Sequence, residues 1–334
     1  MNTTLVVNAG SSSLKFAVFD EHLGLLYKAQ VDTPDARLVV QTLADAGFSI
    51  TSFAGIGHRL VHGGTKFITP LRIDDSAYSE LKTLCHLAPL HLPIGLNLIE
   101  SLRGFAPDVP NIACFDTAFH ATQPDVAKRL PLPRAFHAKG YQRYGFHGLN
   151  YEHVVQAITP SPKRLLVAHL GNGASMCAVL EGQSVATTMG YSTADGLVMG
   201  TRTGSIDPGV LLALMRDDDM DANGLEDLLY RRSGLLGVSD LSSDMRELLA
   251  SKEPAAAQAV DFFCYHAARH AGSLAVAMGG VDAIAFTGGV GENAAIVRSK
   301  IMAHLSWLNI AEVRVVPANE ELTIARHVKR LLTQ

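Results

Sequence analysis

Two arginines in the sequence lie among glycines, a setting that suits the binding of an anion. Arg59 lies two residues after Gly57, and Arg202 lies midway between Gly200 and Gly204. A guanidinium presents a planar fork of donors to phosphate or carboxylate, and a neighbouring glycine leaves room for the ligand. An ion pair at the protein surface is the alternative for each arginine, and the local sequence leaves both interpretations open.

Three short segments rich in glycine or serine each follow an apolar run, at residues 10–13, 171–173 and 287–293. Such turns let backbone amides approach phosphate oxygens; a tight hairpin is the alternative for each. The sequence has no Gly-Lys dipeptide, which excludes a P-loop, and the last segment lacks the third glycine of a dinucleotide fingerprint. The pattern favours phosphate binding and disfavours a nicotinamide cofactor.

An acidic residue and several histidines stand where a strand or a turn ends. Asp116 follows the apolar run Asn111–Phe115, so its carboxylate would emerge at the carboxyl edge of the sheet, where α/β proteins bind ligands. Capping of the next turn is the alternative for Asp116. A binding site or a hydrogen bond to nearby backbone remains open for the histidines in similar positions, which are His91, His120 and His147.

The elements around these residues are predicted from the spacing of apolar side chains. The runs Leu5–Val7 and Lys15–Phe19 flank the first turn and predict a hairpin, which Leu25–Val31 extends to three strands. The following segments predict a helix at Ala36–Ala46, a strand at Ile56–Val61, helices at Asp75–Cys85 and Pro93–Gly104, and a strand at Asn111–Phe115. These elements form one mixed α/β unit.

The same order of strand, glycine turn and strand then starts again. Leu165–Val167 and Ser175–Leu180 flank the second glycine turn, and Leu5 corresponds to Leu166 as Gly10 corresponds to Gly171. A later strand at 283–286 precedes the third glycine segment, which is expected to be a turn followed by a helix. The repeat predicts a duplicated fold with two related domains.

Composition sets the class of protein. At roughly 150 residues per domain, the 334 residues make about two domains, and 48% hydrophobic against 18% charged residues indicates a globular chain. A net charge of -4 offers no positive excess for nucleic acid.

The four cysteines have no paired spacing and the first basic residue is Lys15, which predicts a cytoplasmic protein. Charged residues interrupt the apolar stretch 255–278, so no membrane-spanning segment is expected. Within that stretch His266 and His270 have helical spacing, but no glutamate follows the first, and zinc is disfavoured.

Taken in order, these segments and several others resemble the motifs of the acetate kinase family of short-chain carboxylate kinases over nearly the whole chain. The matching runs are Asn8–Phe16, His58–Gly64, Phe115–His120, Tyr144–Gly148, His169–Ser175, Met199–Arg202, Leu241–Arg246, Thr287–Asn293 and Asn319–Leu322. The resemblance implies an α/β fold of two duplicated ribonuclease H-like domains, as in the actin-like and sugar kinase ATPase superfamily. It places one domain at residues 1–118 with 320–334 and the other at 119–319.

The resemblance also implies an activity, the reversible transfer of phosphate from ATP to acetate with Mg²⁺ as the metal, in a homodimer. Asn8 and Glu320 would hold the metal. The residues expected at the transferred phosphoryl group and at the substrate are Arg59, Asp116, His147 and Arg202. The acyl pocket would be formed by Val61, Leu90, His91 and Phe146 together with Arg59. The nucleotide side would comprise Lys15, His169, Leu170, Gly171, Asn172, Gly173, Asp244, Met245, Arg246, Gly288, Gly289, Val290, Gly291 and Asn293. Ser11 and Ser13 lie in a motif that the family keeps near the site.

The sequence departs from the family pattern at several positions. It is shorter than a typical member between Phe16 and His58 and between Asn293 and Asn319. Leu92 stands where the family has asparagine, Tyr191–Gly196 replaces the segment Phe-Thr-Pro-Leu-Glu-Gly, and Ser205 replaces a common aspartate. Since that proline borders the acyl pocket in the family, its replacement bears on acid preference, and a kinase for propionate or another short acid is the alternative.

Two rival functions belong to the same superfamily. A regulatory or assembly protein would bind nucleotide without a small acceptor, and it would release no ADP in response to an acid. A sugar kinase would need a base such as Asp116 for its alcohol acceptor, whereas two arginines and a histidine favour an anionic acceptor. We therefore expect a carboxylate kinase.

Overall fold

The chain folds into two compact units in a computed structural model that describes residues 3–10 and 14–333. The first unit is formed by the described residues up to Ala121, by Phe146–His153 and by the described residues from Asn319 onward. The second comprises Thr122–Gly145 and Val154–Ala318. The serines of the first predicted turn, Ser11 and Ser13, lie outside the described residues.

A mixed sheet forms the centre of the first unit. Its strands are β1 (Thr4–Ala9), β2 (Leu14–Phe19), β3 (Leu25–Val31), β4 (Gly55–Leu60), β5 (Leu71–Arg72) and β6 (Asn111–Phe115). Their order across the sheet is β3-β2-β1-β4-β6-β5, with β1, β4 and β6 parallel. The helices that lie wholly in this unit are α1 (Ala36–Asp45), α2 (Asp75–Thr83), α3 (Leu92–Phe105) and, from the end of the chain, α14 (Glu320–Leu332).

Alternation along β1 explains how helices come to cover both faces of this sheet. Leu5 and Val7 belong to one apolar cluster with residues of α1 and α3. Val6, between them, belongs to another with Ile324 and Val328 of α14. Successive side chains of a strand point to opposite faces of the sheet. Burial of apolar area stabilises the folded state by roughly 25 cal/mol per Å², so the layers on both faces contribute to stability. The core of the first unit is therefore layered on either side of β1.

The second unit repeats this arrangement. Its strands are β7 (Arg164–Leu170), β8 (Ala174–Leu180), β9 (Gln183–Thr187), β10 (Ala283–Thr287) and β11 (Glu312–Val315). Their order is β9-β8-β7-β10-β11, with the hairpin β7-β8 antiparallel and β7-β10 parallel. The strand order of β3-β2-β1-β4 in the first unit is thus reproduced, and the predicted duplication is confirmed. The helices beyond Ala121 are α4 (Asp125–Lys128), α5 (Arg134–Ala138), α6 (Gly148–Ala157, which begins in the first unit), α7 (Pro208–Asp217), α8 (Ala222–Arg231), α9 (Gly234–Ser239), α10 (Met245–Ala250), α11 (Pro254–Met278), α12 (Gly288–Asn293) and α13 (Ala295–His304).

The predicted elements of the first unit are found within a few residues of their expected bounds, and one prediction in the second unit is wrong. The third glycine segment is not a turn, because α12 begins at Gly288, directly after β10. The helix expected after the segment is present as α13 (Ala295–His304). Gly288 has φ +78, a conformation that glycine adopts without strain. Within the described part of the chain, no helix is both long and apolar enough to cross a membrane.

A close approach of α14 to β4 depends on a glycine. A Cβ added at Gly57 would lie 2.4 Å from Cγ2 of Ile324 and 2.6 Å from Cγ2 of Val328. Because Gly57 has no side chain, the helix packs directly on the strand, and the first residue of the helix, Glu320, comes beside Arg59. The helix begins where the side chain of Asn319 accepts a hydrogen bond from the backbone N–H of Leu322.

Three buried histidines of the first unit predict a loss of stability in acid. Burial lowers the pKa of His58, His62 and His120 to about 4 in each case. Between pH 6.5 and 4 the unfolded chain therefore binds protons that the folded chain does not, so stability is present above pH 6.5 and falls as the pH falls. Each histidine is expected to cost about 1.4 kcal/mol per pH unit in that window. Urea unfolding at pH 7.5, 6 and 5 measures the slope.

The pH slope of a variant that lacks one buried histidine can be compared with that of a variant that lacks an exposed one. His58→Gln should make the pH slope shallower, because it removes one buried imidazole whose pKa is lowered. His22→Gln is the matched control, since the His22 side chain is 85% exposed. An unchanged slope in the His58 variant would contradict the assignment.

Candidate active site

The carboxyl ends of three parallel strands bring together three polar side chains. Asn8 is near the end of β1, Arg59 near the end of β4, and Asp116 directly follows β6. The register pairs Val7 with His58 and Leu60 with Phe115, so these side chains lie at one edge of the sheet. The prediction that Asp116 would emerge at this edge is confirmed by the strand arrangement.

Arg59 and Asp116 form a buried ion pair. Nη2 of Arg59 donates to Oδ2 of Asp116 at 2.6 Å, and Nε donates to the same carboxylate at 3.1 and 3.2 Å. The Asp116 side chain is 0% exposed and that of Arg59 is 16% exposed. A surface ion pair, the alternative considered for Arg59, is therefore excluded. Two donors to one carboxylate fix the orientation of the guanidinium.

Burial and charge act on both members of this pair. Burial raises the pKa of the Asp116 carboxyl to about 6, against the opposing effect of the Arg59 guanidinium. Burial also opposes the charge of Arg59, but the carboxylates of Asp116 and Glu320 more than compensate and raise the pKa of Arg59 above its ordinary value. Arg59 thus carries a fixed positive charge at the edge of the sheet.

Asn8 and Glu320 are in direct contact beside this pair. Nδ2 of Asn8 donates to Oε2 of Glu320 at 2.9 Å and to Oε1 of Glu321 at 3.1 Å, while Oδ1 of Asn8 accepts from Nη1 of Arg59 at 3.2 Å. Nε of Arg59 lies 3.5 Å from Oε2 of Glu320. Glu321 was missed by the sequence analysis, although the two adjacent glutamates after Asn319 were visible.

The donors in this cluster suit a hard cation. An amide and a carboxylate supply oxygen ligands, and Mg²⁺ needs few of them because it keeps several water ligands. In residues 3–10 and 14–333, no three His, Cys, Asp or Glu side chains form a group that could hold a metal. Asn8 and Glu320, which are in direct contact, offer the amide and carboxylate oxygens that suit a largely hydrated ion.

His147 is held in an unusual backbone conformation next to Asp116. Its φ is +59, which is uncommon for a residue with a side chain, and its carbonyl accepts from the backbone N–H of Asn150 and Tyr151. A Cβ at Gly148 would lie 2.1 Å from the backbone oxygen of Asp116. Only glycine fits at 148, so the chain that carries His147 is fixed against the backbone of Asp116.

The predicted acyl pocket residues differ in their surroundings. Val61 and Phe146 are buried, and the Phe146 ring lies edge-on to His62, with centroids 5.6 Å apart. Leu90 and His91 are half-buried and directly precede α3. Leu92, the departure from the family pattern, is fully buried in an apolar cluster that also holds Leu60, Phe115 and Ile99. Its leucine is therefore accounted for by core packing.

Arg202 lies in the second unit, in a loop closed by glycines. Its Nη1 donates to the backbone oxygen of Thr193 at 3.2 Å, and its guanidinium stands 6.0 Å from the centre of the Tyr230 ring. Gly204 has φ +71, and a Cβ at Gly200 would lie 2.0 Å from Oδ1 of Asn172. Gly204 thus permits a turn on one side of Arg202, and Gly200 permits a close contact with Asn172 on the other side.

A pocket of about 900 Å³ lies in the second unit, within the size range of small-molecule sites. It is bordered by the turn between β7 and β8, by α12 and by the start of α10. The predicted nucleotide residues that line it are Gly171, Asn172, Asp244, Met245, Arg246, Gly289, Val290 and Asn293. Leu235, Ser243, Leu249, Phe263 and Ala294 also line it and were not predicted.

Other predicted nucleotide residues do not line this pocket. His169, Leu170, Gly173, Gly288 and Gly291 are neighbours of lining residues along the chain, and Leu170, Gly288 and Gly291 are buried. Lys15 is an exposed residue of β2 in the first unit. The glycine segments 171–173 and 287–293 thus both contribute lining residues to the pocket.

Comparison with known proteins identifies relatives along the full chain. The model of the acetokinase family matches residues 36–321. A curated acetate kinase from Rhodopseudomonas palustris is 41% identical over 390 aligned residues, covering 98% of each chain. A solved propionate kinase from Francisella tularensis superposes with TM-score 0.92 at 31% identity, covering 99% of this chain and 100% of that one. A solved Porphyromonas gingivalis acetate kinase gives TM-score 0.88 at 30% identity, with the same coverage.

Proposed function

Because the chain belongs to the acetokinase family, we propose that it is an acetate kinase that passes the γ-phosphoryl group of ATP reversibly to acetate. It is a phosphotransferase with a carboxyl group as acceptor and has the duplicated fold of the actin-like ATPases. The observation that carries the proposal is the ion pair of Arg59 and Asp116 at the strand ends, in contact with Asn8 and Glu320.

The acceptor needs no general base. A short carboxylic acid has a pKa of about 4 to 5, like an aspartate or glutamate side chain, and is already ionised near neutral pH. A carboxylate oxygen attacks the γ-phosphorus in line, the bond from that phosphorus to the bridging oxygen breaks, and ADP leaves with the electron pair. The products are acetyl phosphate and ADP. The difficulty is the approach of two anions, which fixed positive charge relieves.

Arg59 supplies such a charge, and Asp116 orients it rather than acting as a base. In the proposal Arg59, Arg202 and His147 contact the transferring phosphoryl group, while Val61, Leu90 and Phe146 surround the acyl methyl group. The pocket of the second unit would take the adenine nucleotide through Asn172, Gly289 and their neighbours. These roles come from the family resemblance, and the buried ion pair supports that of Arg59.

Asn8 and Glu320 would hold Mg²⁺, which when bound neutralises charge on the phosphates of the nucleotide. Glu320→Gln is therefore expected to raise the Mg²⁺ concentration for half-maximal activity by about tenfold or more, the effect of losing a charged ligand. Activity is titrated with Mg²⁺ at fixed total ATP. Glu181→Gln, at a side chain 67% exposed, is the control. An unchanged Mg²⁺ requirement in Glu320→Gln would refute this ligand role.

A methyl group added at Gly200 is expected to weaken ATP binding in the pocket of the second unit. In Gly200→Ala the new Cβ would displace the Asn172 side chain, whose Oδ1 is 2.0 Å away, and would lie 3.1 Å from the backbone oxygen of Ser243. Since Asn172 lines the pocket, we expect the KM for ATP to rise about tenfold, as for the loss of one good hydrogen bond. Gly104→Ala, where no atom lies within 4 Å of the new Cβ, should leave KM unchanged. Equal KM values for the two variants would contradict the placement of ATP.

The function is tested by ADP release from Mg²⁺-ATP with acetate, propionate, butyrate or no acid, with hydroxylamine to trap acyl phosphate. Acetate-dependent ADP matched by trapped hydroxamate is the expected result. A preference for propionate is the second candidate, favoured by the replaced segment 191–196 and by the similarity to the solved propionate kinase. Nucleotide binding with no acid-dependent product would overturn the proposal.

We also propose a homodimer in the cytoplasm. Helix α7, all of whose residues are described, has no buried residue. It exposes the apolar side chains of Val210, Leu212 and Met215, which is typical of a surface that meets a partner. Light scattering after size-exclusion chromatography measures the mass. The cytoplasmic location remains a prediction from the cysteine pattern.

A further inference from the structure

Asp195 joins three segments of the second unit through one carboxylate. Oδ2 accepts from Nη1 of Arg143 at 3.3 Å. Oδ1 accepts from Oγ of Ser205 at 2.9 Å and from the backbone N–H of Gly196 at 2.8 Å. A Cβ at Gly190 would lie 2.4 Å from Oδ2, so a glycine leaves room for this carboxylate. With both oxygens engaged, Asp195 is held in one orientation.

Two hydrogen bonds from Ser205 join the ends of the loop that carries Arg202. The backbone N–H of Ser205 donates to the oxygen of Gly196 at 2.9 Å. The side-chain bond to Asp195 runs beside it, and the Arg202 guanidinium donates back to Thr193, two residues before Asp195. Residues 196–205 thus form a loop whose two ends meet at Asp195.

We infer that Asp195, through Ser205, is a positioning residue that sets where the Arg202 guanidinium stands. The inference rests on the proposed function, in which Arg202 contacts the phosphoryl group. Only a carboxylate can accept from Arg143 at one oxygen and from Ser205 and Gly196 at the other, because an amide turns an NH₂ group toward one set of donors. Asp195→Asn should therefore weaken either the contact with Ser205 and Gly196 at the ends of the loop or the contact with Arg143.

A double-mutant cycle tests this role. Asp195→Asn should lower kcat/KM about tenfold in the otherwise unchanged protein, since small misplacements of a positioned group cost rate. In the Arg202→Ala protein, the same substitution should cost no more than about twofold, because the group it positions is already gone. An equal factor in both backgrounds would mean a merely structural role and would overturn the inference.

The chemistry of the contact supplies matched variants. Ser205→Thr keeps the hydroxyl donor and should retain activity. Ser205→Ala removes this donor and should lower kcat/KM about as much as Asp195→Asn, because the side-chain hydrogen bond to Asp195 is lost. Asp125→Asn, at a side chain 65% exposed, is the control. Full activity of Ser205→Ala would contradict the inference.

Hydrogen exchange separates the failure of this inference from the failure of the proposed function, because it needs no turnover. In the protein without substrates, Asp195→Ala, which removes both carboxylate oxygens, should speed amide exchange in residues 196–205 and leave the strands 164–180 unchanged. If exchange in 196–205 does not change, Asp195 does not hold the loop. If exchange changes but the protein releases no acid-dependent ADP, the loop contact stands and the proposed function fails.

Discussion

Arg59→Ala is expected to lower kcat by about 10³-fold or more, the effect of removing an arginine from a phosphoryl-transfer site, and also to destabilise the fold. The first effect follows from the loss of a fixed positive charge where two anions meet. The second follows because Asp116 is fully buried and receives two donors from Arg59. Removal of one partner from a buried pair typically costs about 3–5 kcal/mol. The buried ion pair thus predicts a loss of stability together with the loss of turnover.

A second substitution separates the two effects. In Arg59→Ala/Asp116→Asn the buried carboxylate is gone, so much of the lost stability should return while kcat stays low. Arg59→Lys keeps the charge but loses the two-donor fork, and we expect intermediate activity. Stability is measured by urea unfolding and kcat by acetate-dependent ADP release at saturating substrates. Near-normal kcat in Arg59→Ala would refute the role assigned to Arg59.

Local sequence patterns predicted the position of some residues of this site, whereas contacts that depend on the fold could not be predicted. Asp116 was recognised as a strand-end residue because the run before it is apolar and short. Its pairing with Arg59 was not predictable, since it depends on β4 and β6 being adjacent and parallel, with Arg59 opposite Cys114. The register of neighbouring strands is a property of the sheet and is not encoded in either strand alone.

The contact of Asn8 with Glu320 joins residues separated by 312 positions. No periodicity predicts such a contact, and the family resemblance supplied both residues. The physical basis appears only in the fold, where Gly57 admits α14 against β4. The fold itself was more accessible: the hairpins β1-β2 and β7-β8 followed from apolar runs on either side of turns rich in glycine or serine. The segment at Gly288 was misjudged because a glycine run that predicts a turn can also begin a helix.

Arg202→Ala is expected to lower kcat about as much as Arg59→Ala, by about 10³-fold, but with the fold largely intact. Arg202 is half-buried in a loop, whereas Arg59 lies in a central strand of its sheet. Its guanidinium donates to the backbone oxygen of Thr193 and stands over the Tyr230 ring. Loss of a hydrogen bond to a neutral carbonyl typically costs about 0.5–1.5 kcal/mol, which is well below the cost of breaking the buried pair at Arg59.

The pair of variants thus distinguishes two arginines proposed for one reaction. In urea unfolding Arg59→Ala should be markedly less stable than the parent, whereas Arg202→Ala should stay close to it; in turnover both should be nearly inactive. Arg37→Ala, at a side chain 81% exposed, serves as the control for loss of one positive charge. If Arg202→Ala retains turnover, phosphoryl transfer depends on Arg59 without Arg202, and the loop held by Asp195 has another purpose. If Arg202→Ala unfolds as readily as Arg59→Ala, its guanidinium stabilises the second unit, and its effect on turnover would not be evidence of contact with the phosphoryl group.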